Sequence, residues 1–343
     1  MLQAVLMADR HEPHDEALEA TVLENRYRIE RRIGTGGMGT VYLAQQLALR
    51  IPVAIKVLHR EKSEDFTSNY RLLREARVAA RVAHPNVTRV LDLGRTPDGL
   101  VFSVMEYLEG EDLSQRLERE GMLPWPAVRR ILRQVVRGLR AAHAIGVIHR
   151  DVKPSNVFLV APGEARPEQV KLLDFGLAKA VDPQHTFGEH LTRDKIIGTV
   201  DYIAPERVLG EQADARSDIY SLGVMMFEML TGQRPWPSDG NQVRAMMQRV
   251  REEPPPLPDF LPGVPLEMAD VVRRAMAREP DDRFASLREL DAAMRAAVSK
   301  HPPSAPDAIP PAEPGAVAEP KPRERSGPYR DTLIWTGEPP ERT

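Results

Sequence analysis

Glycine, lysine and carboxylate side chains recur along this sequence in types and spacings suited to handling phosphate. The first string is Gly34-Thr35-Gly36-Gly37-Met38-Gly39, a G-x-G-x-x-G pattern. Glycines carry no side chain, so a turn built from them can lay backbone N–H groups over a polyphosphate at close range. The spacing alone is weak, because a dinucleotide fold also uses it and then needs a helix straight after. Thr40-Val41-Tyr42-Leu43 follows instead, a β-prone run, so the glycines are expected in the turn of a hairpin, with a simple glycine hairpin as the plain alternative. Val53-Ala54-Ile55-Lys56 then puts a lysine in a strand beside that hairpin, a costly place for a charge without a partner. Glu75, nineteen positions on, is the expected partner, and a surface salt bridge is the bland reading. Three further strings follow in order: His149-Arg150-Asp151-Val152-Lys153-Pro154-Ser155-Asn156, Asp174-Phe175-Gly176 and Ala204-Pro205-Glu206.

Positioning these groups requires two kinds of structure. Tyr27 to Ile33, Thr40 to Leu43 and Val53 to Leu58 read as strands, rich in β-branched or aromatic residues and punctuated by glycine. A helix is expected from Asn69 to Val82, where Leu72, Leu73, Ala76, Ala79 and Ala80 recur at helical spacing before His84-Pro85 stops the run. Val87 to Leu93 and Leu100 to Tyr107 read as two more strands around the turn Thr96-Pro97-Asp98-Gly99. After Gly110 the pattern is mostly helical. Val128, Ile131, Leu132, Val135, Leu139 and Ala142 form an apolar stripe, and Arg130, Arg133, Arg137 and Arg140 line another face, read as solvated rather than as a nucleic-acid surface. Asp218 to Leu230 is apolar nearly all round, as in a helix buried inside a lobe, and Ser286-Leu287-Arg288-Glu289 fits a capping box opening the last helix.

Composition bounds the answer. The chain has 343 residues, 42% hydrophobic and 28% charged, which excludes a wholly disordered, collagenous or coiled-coil protein. Lys plus Arg number 47 against 50 Asp plus Glu, a net charge of −3 that gives no case for nucleic acid. The absence of Cys removes disulfides, thiolate metal sites and cysteine nucleophiles together. No apolar run approaches the roughly 20 residues of a membrane span, and the opening residues lack a basic leader, so the expectation is a cytoplasmic protein. The last 43 residues, from His301, hold 11 of the 31 prolines and few large apolar side chains, and read as an extended tail. Within it Tyr329 to Trp335 is an apolar island. Residues 1–23 are expected to be disordered, 24–299 to fold and 300–343 to be tail.

Taken together and in order, the glycine loop, strand lysine, H-R-D, D-F-G and A-P-E strings resemble the protein-kinase signature set. The chain resembles a bacterial, eukaryotic-like (Hanks-type) serine/threonine protein kinase over about residues 27 to 296, including Ser217 to Gly223 and Asp282-Arg283-Phe284. Neither tail is covered. The resemblance implies an α+β, two-lobed fold: a small antiparallel sheet with one helix over about 24–107, and a larger, mainly helical lobe over about 108–299.

The resemblance also implies roles, with ATP and Mg²⁺ as cofactors. Phosphoryl transfer rests on positioning and charge neutralisation. The loop carrying Gly34, Gly36, Gly37, Met38 and Gly39 would cover the phosphates, Lys56 would hold them, and Glu75 would direct Lys56. Asn156 and Asp174 would supply the hard oxygen ligands Mg²⁺ prefers. Asp151 would accept the substrate hydroxyl's proton beside Lys153. Ile33, Val41 and Ala54 above and Phe158 below would sandwich adenine, with Met105 as gatekeeper and the backbones of Glu106 and Leu108 as hinge; an apolar core would use these residues as well. Lys153 and the Pro-Ser-Asn continuation resemble Ser/Thr rather than Tyr kinases. Glu206 and Arg283 would form a buried ion pair, with Asp218 a further structural residue. Regulation would run through phosphorylated Thr192 or Thr186 gathered by Arg150 and Lys179, with Thr199 bonding near Asp151.

Protein substrates, a transient homodimer for autophosphorylation and no nucleic acid complete the expectation. Three other readings stand beside it: a pseudokinase scaffold, which would usually lack Lys56, Asp151 or Asp174; an NAD-dependent oxidoreductase, which would need a helix after Gly39; and a small-molecule kinase, against which Gly198-Thr199 resembles the segment that docks a protein hydroxyl.

Overall fold

Period-two alternation along the early strands produces a sheet with two different apolar faces. The computed structural model describes residues 18–36, 39–58, 80–96, 99–162, 168–174, 200–236 and 241–300. Strands β1 (Val22–Leu23), β2 (Tyr27–Gly36), β3 (Gly39–Gln46), β4 (Ile51–Leu58), β5 (Val90–Arg95) and β6 (Val101–Glu106) form one antiparallel sheet in the order β1-β2-β3-β4-β6-β5. Tyr42, Ala44, Val53, Ile55, Val57, Phe102 and Val104 cluster on one face with Tyr27 and Ile29. The intervening residues Val41, Leu43, Ala54 and Met105 cluster with Ile33 on the other. An irregularity in the β2–β3 pairing between Arg32 and Gly34 leaves Ile33 outside the register, which lets it join that second cluster.

Gly36 pairs with Gly39, so the glycine string is the closed end of a hairpin, with Gly37 and Met38 outside the described residues. Gly39 has a steric reason to be glycine: a Cβ there would lie 2.2 Å from the carbonyl oxygen of Val57 on the neighbouring strand. Lys56 shares the face of Ala54 by strand period and is buried between Val41 and Ser103 in the pairing register.

Beyond the sheet the described residues are mostly helical: α1 (Leu113–Glu120), α2 (Trp125–His143), α3 (Pro205–Val208), α4 (Ala215–Thr231), α5 (Gln242–Arg251), α6 (Leu266–Ala275) and α7 (Leu287–Lys300). The apolar stripe of α2 is buried, and Arg130, Arg133, Arg137 and Arg140 are exposed. α4 is buried from Ser217 to Leu230 and forms the axis of the largest hydrophobic core, which α2, α6 and α7 complete. At α7 the backbone N–H of Glu289 donates to Ser286 Oγ, while its own carboxylate accepts from Ala285 N at 2.8 Å, one residue earlier than a standard capping box. A second small sheet, β7 (Gly110–Asp112), β8 (Val157–Val160) and β9 (Gln169–Leu172), is laid against α2 and lies next to the first.

Three boundaries differ from expectation. Folding begins before residue 24: Leu18 packs on the sheet core, and Val22 and Leu23 pair with Arg28 and Tyr27. The strand expected from Val87 starts at Val90, because the backbone at Asn86 and Thr88 bonds Leu172 of β9 instead, with Val87 in an isolated bridge to the same residue. The helix expected over Asn69 to Val82 does not include its last three positions, since Ala80 and Arg81 form a turn and Val82 follows outside any element; residues 69–79 lie outside the described residues. No helix among the described residues is long and apolar enough to cross a membrane.

Candidate active site

The residues expected around a purine converge. Ile33, Val41, Ala54, Met105, Leu108 and Phe158 form one apolar cluster with Leu43 and Leu173, bringing β2, β3, β4 and β6 of the large sheet against β8 of the small one. Ala54 pairs with both Leu43 and Met105, so the roof of this slot follows from the strand register. At its edge Glu106 accepts from Lys171 Nζ at 2.6 Å and from Arg89 N at 2.8 Å. The Glu106 N–H itself donates to Arg89 O at 3.1 Å, so a purine contact at this residue falls to its carbonyl. Gly34 and Gly36 lie at the end of β2, directly after Ile33 of the slot.

Lys56 Nζ meets Asp174 Oδ2 at 2.6 Å. Asp174 follows β9 and has φ +42, a left-handed backbone that a non-glycine residue adopts at some cost and that clusters at functional sites. Glu75, the partner expected from sequence, lies outside the described residues, as do Lys179, Thr186, Thr192 and Thr199.

The string from His149 to Asn156 is held by buried polar groups, some its own and some from α2, α4 and the residues after β9. Asp218, on α4, accepts from the backbone N–H groups of His149 and Arg150, each at 2.8 Å, and bonds His143 Nε2 at 2.8 Å. Burial alone would raise the Asp218 carboxyl; these hydrogen bonds outweigh it and hold the group below the usual carboxylate range. His149 is fully buried, which pushes its imidazole below its ordinary value; Nε2 bonds Leu173 O at 3.0 Å and Nδ1 accepts from Asp151 N at 3.3 Å. Arg150 has φ +64, and its buried Nε has no hydrogen-bond partner among the described residues. Asn156 Nδ2 donates to Asp151 O at 2.8 Å and to Asp151 Oδ2 at 3.1 Å, while Lys153 Nζ stands 3.3 Å from the same carboxylate oxygen. A polypeptide loop thus presents one carboxylate with its orientation fixed from two sides.

Asn156 and Asp174 are neighbours because β8 and β9 pair Val157 with Leu172, and Leu173 N donates to Asn156 O at 2.9 Å. Donation through Nδ2 directs the Asn156 amide oxygen to act as an acceptor. With the Asp174 carboxylate it makes a two-oxygen donor set, and no group of three or more His, Cys, Asp or Glu able to enclose a metal exists among the described residues. That suits Mg²⁺, which binds through one or two protein oxygens and takes the rest from water and phosphate.

Glu206 and Arg283 meet in a two-point pair, at 2.7 and 2.9 Å, with Ser217 Oγ donating to Glu206 at 2.6 Å. Burial would raise Glu206, and Arg283 and Ser217 overcome it to hold the carboxyl below its usual range. Arg283 also donates to the carbonyls of Ala277, Arg216 and Arg278, so no donor edge of its guanidinium is left dry. Sequence reasoning missed Lys171, His143 and Arg207 in this region; each acts through a tertiary contact that no local spacing announces.

The protein kinase domain family model matches residues 27–295. The chain is 40% identical over 287 residues to serine/threonine-protein kinase pkn3 of Myxococcus xanthus, covering 83% of this chain and 52% of that protein. It is 36% identical over 316 residues to serine/threonine-protein kinase PknB of Mycobacterium tuberculosis, covering 91% and 49%. Among solved structures, the PknI kinase domain of Mycobacterium tuberculosis aligns with a TM-score of 0.65 at 31% identity, over 81% of this chain and 98% of that one. The chain belongs to the protein kinase domain family, and its fold is the two-lobed kinase fold. Its relatives are bacterial serine/threonine kinases, and it spans about half the length of these curated relatives. The oxidoreductase reading falls, since Gly39 opens a strand and not a helix.

Proposed function

We propose that this chain transfers the γ-phosphoryl group of ATP to serine or threonine hydroxyls of proteins, itself included, with Mg²⁺. The observation that carries the reading is the fixed Asp151 carboxylate beside Lys153 and Asn156, next to Asp174 paired with Lys56. Asp174 and Asn156 are the residues that would hold Mg²⁺, which when bound would supply positive charge to offset that of the phosphates. Asp151 orients the substrate hydroxyl and accepts its proton; Lys153 steadies the Asp151 carboxylate and adds positive charge where the phosphoryl group passes. Lys56 neutralises phosphate charge, and the apolar slot excludes water from the purine.

The same reading assigns a regulatory phosphate at Thr192 or Thr186 to Arg150 and Lys179, supported by an Arg150 Nε that has no hydrogen-bond partner among the described residues. It places Thr199 near Asp151 and Lys153, takes residues 18–300 as the catalytic unit and leaves 301–343 outside the chemistry. Two copies would meet transiently during autophosphorylation, and the need for ATP supports a cytoplasmic location for the reaction. Incubation with γ-labelled ATP, Mg²⁺ and a generic basic protein, followed by acid hydrolysis, tests it. Label should appear on phosphoserine and phosphothreonine and vanish with a chelator; label confined to phosphotyrosine, or none at all, contradicts the assignment.

A further inference from the structure

Arg207 follows Ala204-Pro205-Glu206 in the short helix α3, and its guanidinium Nη1 donates to the backbone carbonyl of Arg150 at 2.5 Å. That carbonyl belongs to the peptide joining Arg150 to Asp151. The N–H on the other side of Arg150 donates to Asp218 Oδ1 at 2.8 Å. Arg150 is therefore gripped at both of its peptide groups while it holds φ +64, a conformation that a side-chain-bearing residue leaves readily unless its surroundings determine it. The plane of the Arg150–Asp151 peptide sets the direction in which Asp151 leaves the backbone. Asp218 alone fixes only the N-terminal side of that residue.

The cation is also expensive where it stands. Arg207 is partly buried, and burial pushes its guanidinium below the ordinary range against the pull of Asp151 and Asp218. A desolvated arginine beside another arginine, Arg150, gains nothing from packing that an apolar chain would not supply. Its charge-assisted bond to a carbonyl is the compensation. The neighbour in sequence, Glu206, is locked by Arg283 and Ser217, so α3 is a firm base from which Arg207 reaches the loop.

We infer that Arg207 is a positioning residue for phosphoryl transfer: it clamps the Arg150–Asp151 peptide from the side opposite Asp218 and so aims the Asp151 carboxylate at the substrate hydroxyl. The inference rests on the proposed role of Asp151. It ties the orientation of the catalytic base to the seating of the segment that ends at Glu206, because the same short helix carries both contacts.

The test is steady-state kinetics on the full chain with Arg207→Met, which keeps the length of the stem and removes the donor, and Arg207→Lys, which keeps charge and a donor. Misplacing a reacting group by an ångström costs about 100-fold, so Arg207→Met should lose roughly 10- to 100-fold in kcat, with KM for ATP and the affinity for a fluorescent ATP analogue essentially unchanged. Arg207→Lys should recover a large part of that loss. A residue that merely supported the fold would lower melting temperature and active fraction, leave kcat per active molecule alone and not respond to lysine. Should Met at 207 prevent folding, Arg207→Gln, polar but too short to reach the Arg150 carbonyl, gives the same reading. Wild-type kcat in a folded Arg207→Met or Arg207→Gln overturns the clamp. Wild type and Asp151→Asn run alongside: equal label transfer by these two overturns the role of Asp151 itself, and the clamp with it.

Discussion

The helical lobe and the sheet lobe treat charge in opposite ways. Around α4 the helical lobe buries Asp218, Glu206, Glu228, Arg249 and Arg283, drawing their partners from several elements. Among the described residues the six-stranded sheet buries one charged side chain, Lys56, and its described ion partner, Asp174, comes from across the site. Breaking a multiply bonded buried charge leaves its partners uncompensated, so the helical network has one arrangement and fixes the loop that carries Asp151. Lys56 has a partner that can be exchanged, since a phosphate oxygen offers it the same kind of contact. Under the proposed function, one lobe is a rigid mount for Asp151 and the other a lining for the nucleotide.

The sharpest way to break this division is to remove a charge from each side and ask what fails. Lys56→Met should lower turnover about 100- to 1000-fold, as the loss of one preorganised electrostatic group does, while leaving the melting temperature nearly unchanged; label transfer and a thermal scan on the same preparation read both. Arg283→Ala should do the reverse, costing about 3–5 kcal/mol of stability by stranding Glu206, measurable by urea unfolding. If Arg283→Ala melts with wild type, the helical network does not carry the stability assigned to it.

A smaller effect sharpens the picture at the border between the lobes. Asp112 caps α1, its carboxylate accepting from Gln115 N at 3.0 Å, and burial pushes its carboxyl up from 3.8 to about 6. A raised carboxylate pKa favours the folded state below the unfolded value, and that advantage is lost as pH rises through about 6. Asp112→Asn keeps a cap acceptor without the charge. The stability of Asp112→Asn relative to wild type should therefore rise by about 1–3 kcal/mol between pH 4 and pH 7, read by urea unfolding at the two pH values; a flat difference removes the burial argument.

Much of the site was legible because its residues sit in short strings whose local structure the string itself determines. The glycine hairpin follows from β-prone residues on both sides, the slot from strand period, and the buried α4 from its unbroken apolar surface. What stayed hidden depends on approach between distant elements. Arg207 looks like any exposed arginine after a proline until α3 is seated on the catalytic loop. Val87 and Thr88 read as strand residues for β5, yet β9 takes their backbone. Val22–Leu23 is too short to show a period at all. Lys56 next to Asp174 is a pairing across 118 positions that no spacing specifies.

The central claim is that a rigidly mounted Asp151 performs the proton step. Asp151→Asn keeps the side-chain shape and leaves the mount around Asp218 intact, so the most direct measurement is label transfer from γ-labelled ATP by wild type and Asp151→Asn, with nucleotide affinity and melting temperature taken on the same samples. The account predicts unchanged folding and nucleotide binding with transfer reduced at least about 100-fold. Transfer equal to wild type, in a folded protein that binds nucleotide, would contradict it.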